Sequence, residues 1–84
     1  MNWDQFKDVL TQTTSFPTDY RFKFIVPLDS LPALEETIRP HTPEFRPSKK
    51  GNYVSATVRI ACESPDEVVN WYNKVSSIPG IISL

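Results

Sequence analysis

The side chains best suited to chemistry gather in the middle of the chain. Between Arg39 and Arg59 stand five basic residues (Arg39, Arg46, Lys49, Lys50 and Arg59) and His41, against a single acid, Glu44. Within this stretch, Arg46-Pro47-Ser48-Lys49-Lys50-Gly51-Asn52-Tyr53 puts cations, a hydroxyl and a glycine into one short turn. Backbone amides and ammonium groups arranged in that way can meet a phosphate or a carboxylate. Arg46, Ser48, Lys49, Lys50, Gly51, Asn52 and Tyr53, joined by Arg59, therefore make up the candidate ligand or partner surface. The turn is not a P-loop, because it has one glycine and leads into a strand instead of a helix. Its plainer reading is a solvated turn at a sheet edge, where lysines discourage aggregation.

Other reactive side chains lack company. His41 has no cysteine, serine or carboxylate at a spacing that suggests a triad or a ligand set, and it reads as a loop histidine. Glu35-Glu36 and Asp66-Glu67 fall in helical stretches, the second pair in a first turn where acid complements the helix dipole; both read as solvated faces. Cys62 is the only cysteine. It allows no internal disulfide and no Cys-based zinc or iron–sulfur cluster, which fits a reducing compartment. Placed at the end of an apolar alternation, it reads as an inert buried thiol. The expectation is no catalytic residue, no metal site and no cofactor.

Size and charge narrow the classes further. Eighty-four residues make one domain, with little room for a deep cleft beside the core. A net charge of -1 is not tuned as a whole to nucleic acid or to an anionic membrane. Met1-Asn2-Trp3-Asp4 has no signal-peptide pattern, and no apolar run nears the ~20 residues of a membrane span. A cytoplasmic location is expected.

The positioning elements are legible from periodicity. Trp3, Phe6 and Leu10 at i, i+3 and i+7 form the stripe of a short amphipathic helix over residues 2–12. Its stripe must dock on this domain or on a partner, since so short a helix is marginal alone. Residues 19–26 alternate, with Tyr20, Phe22, Phe24 and Val26 on one side and Arg21 and Lys23 on the other. Asp29-Ser30 and Pro32 open a helix that buries Leu31, Leu34 and Ile38 and ends at Pro40. Residues 44–49 form an edge strand because of Pro47, and Lys50-Gly51-Asn52 turns it into a hairpin. Residues 53–62 are the clearest strand: Val54, Ala56, Val58, Ile60 and Cys62 on one face, Tyr53, Ser55, Thr57 and Arg59 on the other. Ser64-Pro65-Asp66-Glu67 reads as a capping box. The helix it opens runs to about Ser77 and buries Val68, Val75 and one or both of Trp71 and Tyr72. Residues 80–84 form a terminal strand.

With right-handed crossovers, the order predicts an α+β, ferredoxin-like βαββαβ sandwich. Its four-stranded antiparallel sheet has order 4-1-3-2, with two helices on one face, and occupies residues 15–84. The amphipathic helix, residues 1–14, precedes it. Arg21, Lys23, Ser55, Thr57 and Arg59 are expected on the open face.

The run Arg46-Pro47-Ser48-Lys49-Lys50-Gly51-Asn52-Tyr53-Val54-Ser55 resembles the hairpin signature of the YbeD family of small uncharacterised bacterial proteins. Phe16-Pro17 before the first strand, and a short hydrophobic C-terminal strand after a turn, are also similar to that family. The resemblance covers about residues 15–84. It implies a ferredoxin-like domain similar to ACT regulatory domains, a suggested place in lipoate metabolism, and no catalytic residues. In ACT domains a glycine at the turn into the first helix lets the backbone approach an amino acid. Val26–Leu34 contains no glycine here, which argues against amino-acid sensing of that kind.

These residues predict a non-enzymatic regulatory or binding domain that acts through protein contact or a small anionic ligand, and they are compatible with a homodimer. The alternative, RNA or other nucleic-acid binding through the open face, requires aromatic side chains on which bases stack. Tyr53 alone is suitably placed, so nucleic acid is the weaker expectation.

Overall fold

A computed structural model describes residues 2–47 and 51–84. The chain runs through α1 (Trp3–Thr13), β1 (Thr18–Pro27), α2 (Leu31–Thr37), β2 (Glu44–Pro47), β3 (Tyr53–Cys62), α3 (Pro65–Val75) and β4 (Ile82–Ser83). A 3₁₀ turn, Leu28–Ser30, leads into α2. The four strands form one antiparallel sheet in the order β2-β3-β1-β4. From the other edge the same order is β4-β1-β3-β2.

The centre of the sheet is the β1–β3 pair, in register over its whole length from Thr18↔Cys62 to Pro27↔Tyr53. Strict alternation decides which side of this pair is buried. Phe22, Phe24 and Val26 from β1 and Val54, Ala56, Val58, Ile60 and Cys62 from β3 all enter one core. Leu34 and Ile38 join it from α2 and its end, Val68 and Val75 from α3, and Leu10 from α1. All three helices thus contribute residues to the core on the same sheet face. The opposite face keeps Arg21, Lys23 and Arg59 exposed and Ser55 and Thr57 half-buried.

The N-terminal helix docks on its own domain. Asn2 caps it by accepting bonds from the Asp4 and Gln5 amides at 3.1 and 3.2 Å. Trp3 stacks on Tyr72 of α3 with ring centroids 5.9 Å apart, and Phe6 meets the same ring edge-on. Lys7 reaches Asp66 at 2.9 Å. These contacts hold α1 against α3 on the covered side, away from the open face.

Two expected caps are different in detail. The Ser30 hydroxyl makes no cap bond to α2; it donates to the Pro79 carbonyl at 2.8 Å. The 3₁₀ turn before it leaves Ser30 in helical geometry (φ −93, ψ −4), not the extended geometry that aims a capping oxygen at the next amides. Ser64 has the extended backbone but no side-chain cap bond. Glu67 turns back instead to accept from the Glu63 amide, one residue before its expected partner in a capping box.

The edges follow the turn residues. β2 pairs only with β3, as its proline requires. Gly80 has φ +74, and a Cβ there would lie 2.6 Å from Pro27 Cγ. This position therefore demands glycine, both for its conformation and for its closeness to β1. The strand after it is shorter than residues 80–84: ladder pairing covers Phe24↔Ser83 and Ile25↔Ile82, and the Leu84 amide adds a bond to the Lys23 carbonyl.

Candidate functional site

Register fixes the composition of the open face. Arg21 lies opposite Arg59, Lys23 opposite Thr57, and Ile25 opposite Ser55. β2 adds Glu44 opposite Thr57 and Arg46 opposite Ser55, and β4 adds Ile82 opposite Ile25. The face therefore has a basic half around Arg21, Lys23 and Arg59. It also has a more apolar half around Ile25, Ile82 and the exposed Tyr53.

The predicted eight-residue surface divides along this line. Ser48, Lys49 and Lys50 lie outside the described residues. Arg46, Gly51, Asn52 and Tyr53 are exposed at the hairpin end. There the Asn52 carbonyl accepts a bond from the Leu28 amide at 3.2 Å, and Asn52 and Tyr53 border a shallow depression with Pro27, Leu28 and Asp29. Arg59 is not beside this turn. It follows Tyr53 by six positions on an extended strand, about 20 Å at ~3.3 Å per residue. Its neighbours are Arg21, Thr42, Glu44 and Thr57, which together with it line a depression of about 430 Å³. Among the described residues the ion pairs are Lys7–Asp66 and Arg39–Glu36, so neither Arg21 nor Arg59 has an acid within pairing distance.

Both arginines are legible in sequence as open-face residues. That they face one another is not, because it depends on how β1 and β3 slide into register.

His41 has a more definite setting than a plain loop histidine. Its Nδ1 lies 3.0 Å from the Ile38 carbonyl. A carbonyl only accepts, so Nδ1 carries the proton and donates it. The ring stands edge-on to Trp71 at 5.5 Å, and the Lys74 ammonium sits over the same indole at 4.4 Å. This arrangement closes the end of α2 against α3. A partner ring thirty residues away in sequence could not be read from the local motif.

The two shifted acids of the core are held away from reactivity. Burial pushes the Cys62 thiol up, and Glu67 adds to the effect. Burial, and then the hydroxyl of Tyr20, raise the Tyr72 phenol above its ordinary range. Each shift favours the neutral, protonated form, the reverse of an activated nucleophile. No three His, Cys, Asp or Glu side chains among the described residues cluster closely enough to hold a metal ion. No helix among them is long and apolar enough to cross a membrane.

Comparison with known proteins gives a family and no activity. Residues 11–84 match the model of DUF493, a family described as proteins of unknown function. A UPF0250 protein of Neisseria gonorrhoeae is 38% identical over 52 residues, which is 54% of this chain and 57% of the relative. UPF0250 proteins of Janthinobacterium sp. and Idiomarina loihiensis are each 32% identical. Those alignments cover 76% and 83% of this chain, and 80% and 88% of the respective relatives. No solved structure gives a significant match. The extent of the family match and the near-full-length relatives together establish that this chain belongs to the YbeD family, the DUF493 or UPF0250 proteins of bacteria, whose function is unknown.

Proposed function

We propose that the chain is a ferredoxin-like binding or regulatory module of the cytoplasm, not an enzyme, and that it works by contact with an anionic group on a protein partner or a small ligand. One observation carries this reading. All three helices pack on one side of the sheet, and the other side is left with exposed Arg21, Lys23 and Arg59 on its two central strands. Those strands are the most extensively paired in the molecule, so the cations stand on a rigid support of the kind a recognition surface needs. The protonated state favoured for Cys62 and Tyr72 gives no sign of nucleophile or base activation. The order β2-β3-β1-β4 with α2 and α3 as crossovers supports the ferredoxin-like assignment. Base stacking has little provision, since Tyr53 is the single aromatic on the open face among the described residues.

The test is quantitative affinity capture from bacterial lysate. The baits are the wild-type chain, an Arg21→Glu/Arg59→Glu double variant, and Lys74→Glu as a control on the helical side. A second double variant, Lys49→Glu/Lys50→Glu, probes the turn. A defined set of proteins or metabolites held by wild type and by the control, and lost from a reversed bait that keeps its circular dichroism spectrum, is the expected result. The same set on all four baits would remove the open face and the turn as the working surface.

A further inference from the structure

The geometry points to a phosphate site built by Arg21 and Arg59, an inference that rests on the open face being the binding surface and goes on to name its ligand class. The two residues are direct cross-strand partners in the centre of the sheet. On one face of an antiparallel pair such partners have their Cβ atoms ~5 Å apart, and like charges placed there are destabilising. Folding stability alone would favour an acid at one of these positions.

One acid, Glu44, shares the depression with the two arginines, and it forms no ion pair with either among the described residues. Glu44 is opposite Thr57 and Asp19 opposite Ala61. Neither acid is ion-paired with an arginine of this pair among the described residues. The two arginines thus line one depression of about 430 Å³, whose wall also includes Thr42, Glu44 and Thr57.

Two planar forks and two hydroxyls suit a tetrahedral oxyanion. Each guanidinium offers N–H groups in the geometry that clamps phosphate oxygens in pairs, and each threonine hydroxyl can donate one bond more. Charge points the same way. Arg21, Arg59 and the adjacent Lys23 against Glu44 leave a local excess of roughly two positive charges. A phosphate monoester carries about −1.5 to −2 near neutral pH, whereas a carboxylate carries about −1. The ligand class is therefore a phosphate monoester, and inorganic phosphate, tetrahedral and of similar charge, is its simplest stand-in.

The experiment is a titration of the ¹⁵N-labelled full chain with sodium phosphate. Sodium chloride at matched ionic strength and sodium acetate run as parallel arms, and the proteins are wild type, Arg21→Gln, Arg59→Gln and Lys74→Gln. Phosphate should give saturable shifts confined to amides near residues 20–22, 42–44 and 57–60 in wild type and Lys74→Gln. Each arginine variant should bind about tenfold more weakly or worse, as loss of a charge-assisted contact implies. Ligand-free Arg21→Gln and Arg59→Gln should melt no lower than wild type, because the change removes a repulsion, and a given phosphate concentration should raise their Tm less than it raises that of wild type. Shifts that match chloride's, or that saturate with wild-type affinity in both arginine variants, would overturn the site; tighter binding of acetate would overturn phosphate as its ligand. Failure here with loss of partners from the Arg21→Glu/Arg59→Glu bait leaves the open-face reading standing without a phosphate site. Saturable phosphate binding with no change in captured partners has the opposite meaning.

Discussion

The two faces of the β1–β3 pair are made from the same two ten-residue strands taken alternately, and they obey different physics. On the covered face Phe22, Phe24, Val26, Ala56 and Val58 are all within 2% of complete burial. Aromatic contacts link Phe22 to Tyr20, Phe24 and Tyr72. No buried side-chain polar atom among the described residues lacks a hydrogen bond. On the open face two arginines stand opposite one another, and neither is ion-paired among the described residues. The first face maximises stability. The second keeps a charge arrangement that stability does not reward, which is why function is sought there. The contrast also shows how a small domain separates the tasks: with a period of two, each can be set without disturbing the other.

That contrast is open to direct attack. The largest effect is expected for Phe22→Ala, which should cost about 3–5 kcal/mol. That is a major share of the ~4–13 kcal/mol available to a chain of this length. Lys23→Ala, one residue away on the other face, should stay within about 0.5 kcal/mol. Urea denaturation of both variants decides the point, and similar midpoints would break the division between the faces.

A smaller effect is expected where α1 extends the covered side. Phe6 is only partly buried, so Phe6→Ala should cost about 1–3 kcal/mol, less than a full core truncation. Hydrogen exchange should speed up in the α1 amides and stay unchanged in β1 and β3. Equal protection in α1 before and after the change would show that its docking on Tyr72 is inconsequential.

The gentlest probe is alkaline pH. Lys7 is shifted upward by its bond to Asp66, Cys62 mainly by burial, and Tyr72 mainly by burial. A group whose pKa is raised in the folded state binds its proton more tightly there. The resulting stability is present below the unfolded value and is lost as pH climbs through the folded one. The ordinary values are 9.0 for the thiol, 10.0 for the phenol and 10.5 for the ammonium. Tm should therefore hold from about pH 7 to 9 and fall above it, and Tyr72→Phe should flatten the upper part of the fall. A Tm that is constant up to about pH 11 would contradict all three shifts.

Much of the architecture can be read from residue types in order. The alternation in Thr18–Pro27 and Tyr53–Cys62 names the core residues of both central strands, and Pro47 marks β2 as an edge. The stripe of Trp3, Phe6 and Leu10 marks α1 as a helix that must dock. These features are local: a two-residue period or an i, i+3, i+7 stripe is written within one segment and selected by burial energy. The candidate site was only half legible for the same reason. Arg21 and Arg59 can be assigned to the polar face, yet Arg59 reads as a neighbour of the basic turn because of its place in the chain.

By itself, then, the sequence determined which side of each element turns inward, because apolar burial is large and repeats with the period of the backbone. Only the tertiary structure decided what meets what: Arg21 with Arg59, Trp3 with Tyr72, His41 with Trp71, and the Ser30 hydroxyl with Pro79. Such meetings depend on strand register and helix placement. These are set by the packing of the whole core, and exposed or half-buried side chains contribute too little to that packing for any local pattern to announce them.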